Sequence, residues 1–222
     1  MAGQPLTIQA AVAGVVVAAV LLTQLDLLRA FEVGEPVTVY AVQSFFVAVF
    51  AAAVGVERHD GSLFVIAGLT LIVKVWLVRW LLRAVIARAR VGLVIPMVIN
   101  VPLSVLMGLA LTGVAFLASQ PLPLQGDFLP RSTLAAGFAL LLVGFQVMAT
   151  RQHVIAQIVA LLTLENGAYL AAIAVAPGLP PLVGVLVLFD VLIAVLVFGI
   201  LVRLLDARVD TATTERLTRL RG

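Results

Sequence analysis

Leu63-Phe-Val-Ile-Ala-Gly-Leu-Thr-Leu-Ile-Val-Lys74-Val-Trp-Leu-Val-Arg79-Trp80-Leu-Leu82 is long and apolar enough to cross a bilayer, and it holds the only lysine of the chain. About 20 apolar residues, rising 1.5 Å each as helix, cover the hydrocarbon core. The stretch therefore reads as a transmembrane helix with a cation near its middle. An ionisable side chain at that depth costs at least about 2.5–3.5 kcal/mol on insertion scales, so it is kept for a reason. Two later apolar runs carry Glu165 and Asp190 in the same way. One cation and two carboxylates at membrane depth point to the handling of charge or protons.

Working outward, seven stretches approach or exceed spanning length: 7–28, 37–57, 62–83, 94–118, 133–150, 153–176 and 181–204. The breaks between them are marked by Gly34 and Pro36, by Asp60-Gly61, by Pro121, Pro123, Gly126 and Pro130, and by Pro177-Gly178 with Pro180-Pro181. The first run lacks the basic start and small-residue cleavage site of a secretory signal and reads as a retained helix. Arg29, Arg83, Arg88, Arg90, Arg151 and five arginines after residue 202 fall on one side of an alternating path, against Arg58 and Arg131 on the other. The positive-inside rule then places the N-terminus outside and the C-terminus in the cytoplasm. The expected fold is all-α, a polytopic membrane protein of about seven transmembrane helices. The longest connection, Ser119 to Arg131, divides it into a four-helix module over 1–120 and a three-helix module over 121–222. In the first span, Ala10, Gly14 and Ala18 recur every four residues, which suits a close helix contact and equally suits chance in an alanine-rich helix.

Composition narrows the function. With 63% hydrophobic and 11% charged residues and a mean hydropathy of +1.21, an ordinary soluble domain is excluded. There is no cysteine, so no disulfide, iron–sulfur cluster or thiolate metal site can come from this chain alone. The net charge of +3 is spread over span ends and tail and reads as topology, with no nucleic-acid footprint. His59 and Asp60 share a turn with no further histidine near them, a poor metal site. Phosphate loops, nucleophile elbows and zinc-helix motifs do not occur. No cofactor and no autonomous active site are expected.

The buried charges carry what chemistry there is. Glu165 lies about a dozen residues into its span and Asp190 about ten into the next, so both sit near mid-depth on antiparallel neighbours. Burial favours the neutral acid and a nearby cation the carboxylate, so each can exist in either state, as a proton relay requires. Lys74 is the natural counter-ion. Proton transfer or electrostatic gating is one reading of the three; polar contacts that fix helix packing, or for Lys74 a snorkelling side chain, are the other. His153, Gln157 and Tyr169, at i−12, i−8 and i+4 from Glu165, form a loose polar ribbon that could support a water chain. Arg79 and Arg83 flank Trp80 and read mainly as interface anchors, and Asp26 as a snorkelling end residue.

The stretch Arg151-Gln-His-Val-Ile-Ala-Gln-Ile-Val-Ala-Leu-Leu-Thr-Leu-Glu165-Asn166-Gly167 resembles the membrane subunit called component E of hydrogenase-4, of the formate hydrogenlyase-type complexes. Tyr40-Ala-Val-Gln43-Ser44, Ile72-Val-Lys74-Val, Phe189-Asp190-Val-Leu-Ile-Ala-Val and the tail Arg216-Leu-Thr-Arg-Leu-Arg-Gly222 look like further pieces of that pattern, in order. From about 132 onward the chain is more distantly similar to the three-helix subunit K of respiratory complex I, whose arginine and two acids would fall on Arg151, Glu165 and Asp190. Asn166 and the aspartate at 190 depart from subunit K and favour the hydrogenase branch.

The resemblance implies a non-catalytic subunit in the membrane arm of such a complex, multi-pass in the cell inner membrane. Its partners would be an antiporter-like subunit, a membrane anchor and soluble redox subunits that hold the metal centres. Glu165, Asp190 and Lys74 would be the relay. A structural scaffold bridging the antiporter-like and anchor subunits is the alternative.

Overall fold

The computed structural model describes residues 8–89, 94–122, 131–175 and 199. Helix α1 runs over Ile8–Arg29, α2 over Gly34–Arg58, α3 over Gly61–Thr70, a π-helical segment over Leu71–Val78, α4 over Arg79–Ala89, α5 over Val101–Ser119, α6 over Arg131–Thr150 and α7 over Val154–Val175. Because α3, the π segment and α4 are continuous, the described residues contain six helices long and apolar enough to cross a membrane. The seventh expected span, with Asp190, lies outside the described residues, as does the tail.

One expected span is corrected and another gains detail. Residues 94–100 are not helical: Val94 and Met97 form isolated antiparallel bridges, Val98 and Ile99 bend, and the helix expected over 94–118 begins at Val101. Pro96 and Pro102 disfavour helix just before them, and Asn100 starts the helix by accepting the Leu103 N–H at 3.0 Å. This piece is a clasp. The Ile95 N–H bonds to the Phe31 carbonyl at 2.9 Å, Val98 N–H to Thr150 at 3.0 Å, and Pro96 accepts Gln152 N–H at 3.1 Å. It thereby ties the α1–α2 and α6–α7 turns together at the end where Arg29, Arg83 and Arg151 gather.

The third span, expected as plain helix over 62–83, contains the π turns. Ile66, Thr70, Lys74, Val78 and Leu82 are all buried, at a strict spacing of four. At 3.6 residues per turn a four-residue step overshoots a full turn by about 40°. Over four such steps a plain α-helix would carry the stripe out of its groove. Widened i→i+5 turns take that drift back and keep Lys74 facing inward.

Small residues decide the closest packing among the described residues. Gly14 and Ala18 are exposed, and α1 buries Ala13, Val16, Val17 and Val20 instead. The bulkier, more apolar side of the helix faces its neighbours. The tight seam is α6 against α7. A Cβ on Gly137 would stand 2.7 Å from the Ala171 nitrogen, and one on Gly167 would stand 2.7 Å from Leu140 Cβ and 2.8 Å from the Gly137 carbonyl.

Two large apolar cores lie end to end along the bundle. One, toward the arginine-rich end, joins Leu27, Val37, Leu82, Val147 and Val159; the other joins Val16, Phe50, Ile66, Leu140 and Leu170. Each draws on α1, α2, the third span, α6 and α7, so helices from both expected modules share the same core.

Candidate functional site

Between the two cores the buried residues turn polar. Thr23 and Gln24 on α1, Gln43 and Ser44 on α2, Thr70 and Lys74 on the third span, and Thr163, Glu165 and Asn166 on α7 are all buried. Hydrogen bonds and an ion pair join most of them into one polar layer inside the bundle, well within α2, the third span and α7 and about a turn and a half from the C-terminal end of α1.

The layer is wired. Lys74 Nζ lies 3.1 Å from Glu165 Oε1 and donates to Asn166 Oδ1 at 3.3 Å. The Asn166 amide nitrogen donates to Gln43 Oε1 at 3.2 Å and to Ser44 Oγ at 2.9 Å. Gln43 Nε2 donates to Thr23 Oγ1 at 3.2 Å, whose hydroxyl donates to the Val20 carbonyl at 2.7 Å. From Lys74 to Val20 the contacts cross three helix interfaces. Asn166 is the hinge of this chain, an acceptor for the ammonium and a donor toward α2 through the two ends of one amide.

An isolated buried charge is expensive, and pairing with aligned hydrogen bonds is what makes it tolerable. Lys74 has both. Glu165 is less well served, since its Oε2 has no hydrogen-bond partner. Both side-chain polar atoms of Gln24 and the Thr163 hydroxyl are likewise buried without one. Buried polar groups lacking protein partners are the usual anchors for internal water.

The remaining sequence-derived candidates fall elsewhere. Gln157 is exposed and turns back to donate to the Arg151 carbonyl at 3.3 Å. His153 Nδ1 accepts the Ile155 N–H at 3.2 Å, and burial pushes its imidazole below the usual value, so it stands neutral at the helix start. Tyr169 is buried one turn beyond Glu165, its hydroxyl unbonded. These three do not join into a continuous ribbon, because an apolar stretch of α7, including Ile158 and Leu162, separates the Gln157 turn from Glu165. Arg151 is buried and its Nη2 donates to the Leu28 carbonyl, one of the unpaired carbonyls in the last turn of α1. His59 and Asp60 serve the backbone: His59 ends α2 in the left-handed region at φ 52°, and Asp60 caps α3 through Ser62. Among the described residues no group of three or more His, Cys, Asp or Glu could hold a metal.

The residues that residue-by-residue reasoning missed are Thr23, Gln24, Gln43, Ser44 and, as the connecting group, Asn166. Their common signal was present: an uncharged polar side chain inside an apolar span.

No protein-family model matches the chain, and no solved structure does. It is 31% identical over 212 residues, covering 95% of this chain and 94% of the other, to a protein of Mycobacterium tuberculosis (strain ATCC 25618 / H37Rv) described as "Uncharacterized protein Rv0085". With near-complete coverage of both chains at that identity, this helical protein with its buried Lys74–Glu165 layer belongs to the same family as Rv0085.

Proposed function

We propose that the chain is a non-catalytic membrane subunit of a hydrogenase-like or complex I-like oxidoreductase, with Glu165, Lys74 and Asp190 on its proton path. The observation that carries this reading is the Lys74–Glu165 pair inside a hydrogen-bonded layer, with a carboxylate oxygen left open. Such a pair accepts a proton on Glu165 without moving a helix: a carboxylate beside an ammonium becomes a neutral acid beside the same ammonium. The proton is given up again when a neighbouring acceptor becomes negative. Asn166 holds Lys74 in place through either state, because its contact to the ammonium does not depend on the carboxylate.

The resemblance to component E supplies the setting: an antiporter-like subunit, an anchor and soluble redox subunits that hold the metal centres, in the cell inner membrane. The gathering of Arg29, Arg83 and Arg151 at one end supports a cytoplasmic placement for that end, which puts the N-terminus outside. In vesicles bearing the assembled complex, Glu165→Gln is expected to stop proton movement while the complex stays intact. Normal pumping by that variant overturns the proposal.

A structural reading has its own supporting observation, since the layer ties α1, α2, the third span and α7 together. On that reading Glu165→Gln and Lys74→Met lower the yield of complex and leave the turnover of what assembles unchanged.

A further inference from the structure

A depression of about 630 Å³ opens at the arginine-rich end, where α1 stops, α2 begins and α4 passes, lined by Asp26, Arg29, Glu32, Glu35, Thr38 and Arg83 among others. Glu35 is occupied locally: its Oε2 accepts the Phe31 and Glu32 N–H groups at 2.7 and 3.1 Å. Arg83 Nη2 donates to Thr38 at 3.1 Å, which ties the guanidinium to the α2 wall and leaves its other N–H groups without a partner among the described residues. The side chains of Asp26, Arg29 and Glu32 make no hydrogen bond or ion pair among those residues. Charges of both signs thus surround one hollow without pairing with each other.

The hollow lies at the level of lipid headgroups. The apolar span of α1 ends here and that of α2 begins. Trp80, 59% exposed, stands three residues before Arg83 on the same face of its helix, and exposed tryptophans gather at the membrane–water interface. Toward the middle of the bundle the surface beside the hollow turns apolar. Leu22, one turn inward from Asp26, and Val42 and Phe45, one and two turns inward from Thr38, are all exposed. On α1 and α2, unpaired charges at the interface therefore run directly into a strip of side chains that faces hydrocarbon.

We propose that this hollow binds the headgroup of a zwitterionic, amine-bearing phospholipid, with the phosphate on Arg83 and Arg29, the ammonium on Glu32, and an acyl chain along Leu22, Val42 and Phe45. Arginine N–H forks suit a phosphate, and an unpaired carboxylate suits a primary ammonium with its three N–H donors. The depths agree. Arg83 is held at the level of Thr38, about 6 Å inside the start of α2, whereas Glu32 lies in the turn outside it. Glycerol-linked phosphate and terminal ammonium follow each other toward water in that order. Asp26, nearly as deep as Arg83, opposes a net negative lipid, and a quaternary ammonium has no N–H to give Glu32. Occupancy of the hollow does not depend on whether Glu165 carries protons.

Native mass spectrometry of the full chain, titrated in detergent with dioleoyl phosphatidylethanolamine, phosphatidylcholine or phosphatidylglycerol, reads the site. One phosphatidylethanolamine is expected to bind about tenfold more tightly than either of the others, the worth of one charge-assisted hydrogen bond. Glu32→Gln should erase the preference over phosphatidylcholine, and Asp26→Asn should bring phosphatidylglycerol level with phosphatidylethanolamine. Arg83→Gln should weaken all three lipids; if it fails to fold, the exposed Glu32 and Asp26 variants still decide. Equal affinity of the unaltered chain for the three lipids overturns the proposal, as does an ethanolamine preference that survives Glu32→Gln. Soluble glycerophosphoethanolamine, which has the headgroup without acyl chains, should not displace the bound lipid at equal concentration. Displacement on equal terms would assign the hollow to a water-soluble phosphate ester and overturn the lipid.

Discussion

Helix α7 carries two unlike seams within three residues. At Gly167 it lies against α6 so closely that Gly137 and Gly167 present backbone to backbone, with Leu140 filling the gap. At Glu165 and Asn166 it meets α2 and the third span through long polar side chains and one ion pair. The dry seam gains from dispersion contacts summed over many atoms and tolerates no added volume. The polar seam gains from a few directional contacts and one ion pair. A rigid backing on one side holds the register of a polar face on the other, the division of labour that the proposed relay would need.

The sharpest way to break this contrast is to remove the cation. Lys74→Met leaves the Glu165 carboxylate buried beside an apolar chain, at a cost of about 3–5 kcal/mol if it remains charged. Glu165 escapes that cost by keeping its proton. The expected result is complete loss of proton movement, a permanent protonated-carboxyl infrared band, and better assembly for the Lys74→Met, Glu165→Gln double variant than for Lys74→Met alone. A variant that still pumps would show that the polar seam is as inert as the dry one.

Next in size is an attack on the dry seam itself. Gly167→Ala puts a methyl 2.7 Å from Leu140 Cβ and 2.8 Å from a backbone oxygen, so whole helices must part. Overpacking of this kind costs about 1–3 kcal/mol. Gly144→Ala meets chiefly the flexible Leu164 side chain, at 2.9 Å from its Cγ, and should cost less. Melting in detergent ranks the two. If α7 backs the relay as argued, Gly167→Ala also lowers proton movement while Gly144→Ala leaves it nearly intact.

A smaller effect sharpens the polar side. Asn166→Ala removes the bonds to Lys74, Gln43 and Ser44 but leaves the ion pair. Interhelical hydrogen bonds in membranes average about 0.6 kcal/mol each, so the loss of stability should be modest, near or below that of Gly167→Ala. If the proposed relay operates, proton movement should slow more than the fold weakens, since Lys74 loses its fixed neighbour. Equal losses in melting temperature and in proton movement would assign Asn166 to packing alone.

Much of this architecture was legible in the chain, and the unreadable part has a physical cause. Hydropathy and length place the helices because the bilayer demands about 20 apolar residues per crossing, and the depth of Lys74 and Glu165 follows from counting along their spans. What hydropathy cannot do is orient a helix whose every face is apolar. Hence Ala10, Gly14 and Ala18 offered a packing face or chance spacing with equal force; among the described residues Gly14 and Ala18 are exposed, and the seam at Gly137 and Gly167 went unmarked. The π turn around Lys74 was hidden for the same reason, since a four-residue stripe does not stand out where all neighbours are apolar. The clasp at 94–100 was hidden by Val94, Ile95 and Val98, whose hydropathy extended the helix past Pro96. The polar layer was half visible: charges draw the eye, whereas Gln43, Ser44 and Asn166, which connect them, look like ordinary polar interruptions until the helices are set side by side.

The smallest expected effect lies outside both seams and fixes the baseline against which they are read. Asp60 caps α3 by accepting the Ser62 N–H at 2.9 Å and its hydroxyl at 2.7 Å, and these bonds hold its carboxyl below its ordinary 3.8. A carboxyl lowered in the folded state contributes stability that is present above its unfolded value and disappears as the pH falls through the folded one. Asp60→Ala should therefore lower the melting temperature slightly at neutral pH and not at all at strongly acid pH, where the native cap is already protonated. Because α3 leads directly into the π turn, this variant also tests whether fraying one end of the third span reaches Lys74. Proton movement equal to that of the unaltered chain would place the rigidity of the relay in the α6–α7 seam, whereas a loss comparable to that of Asn166→Ala would place part of it in α3.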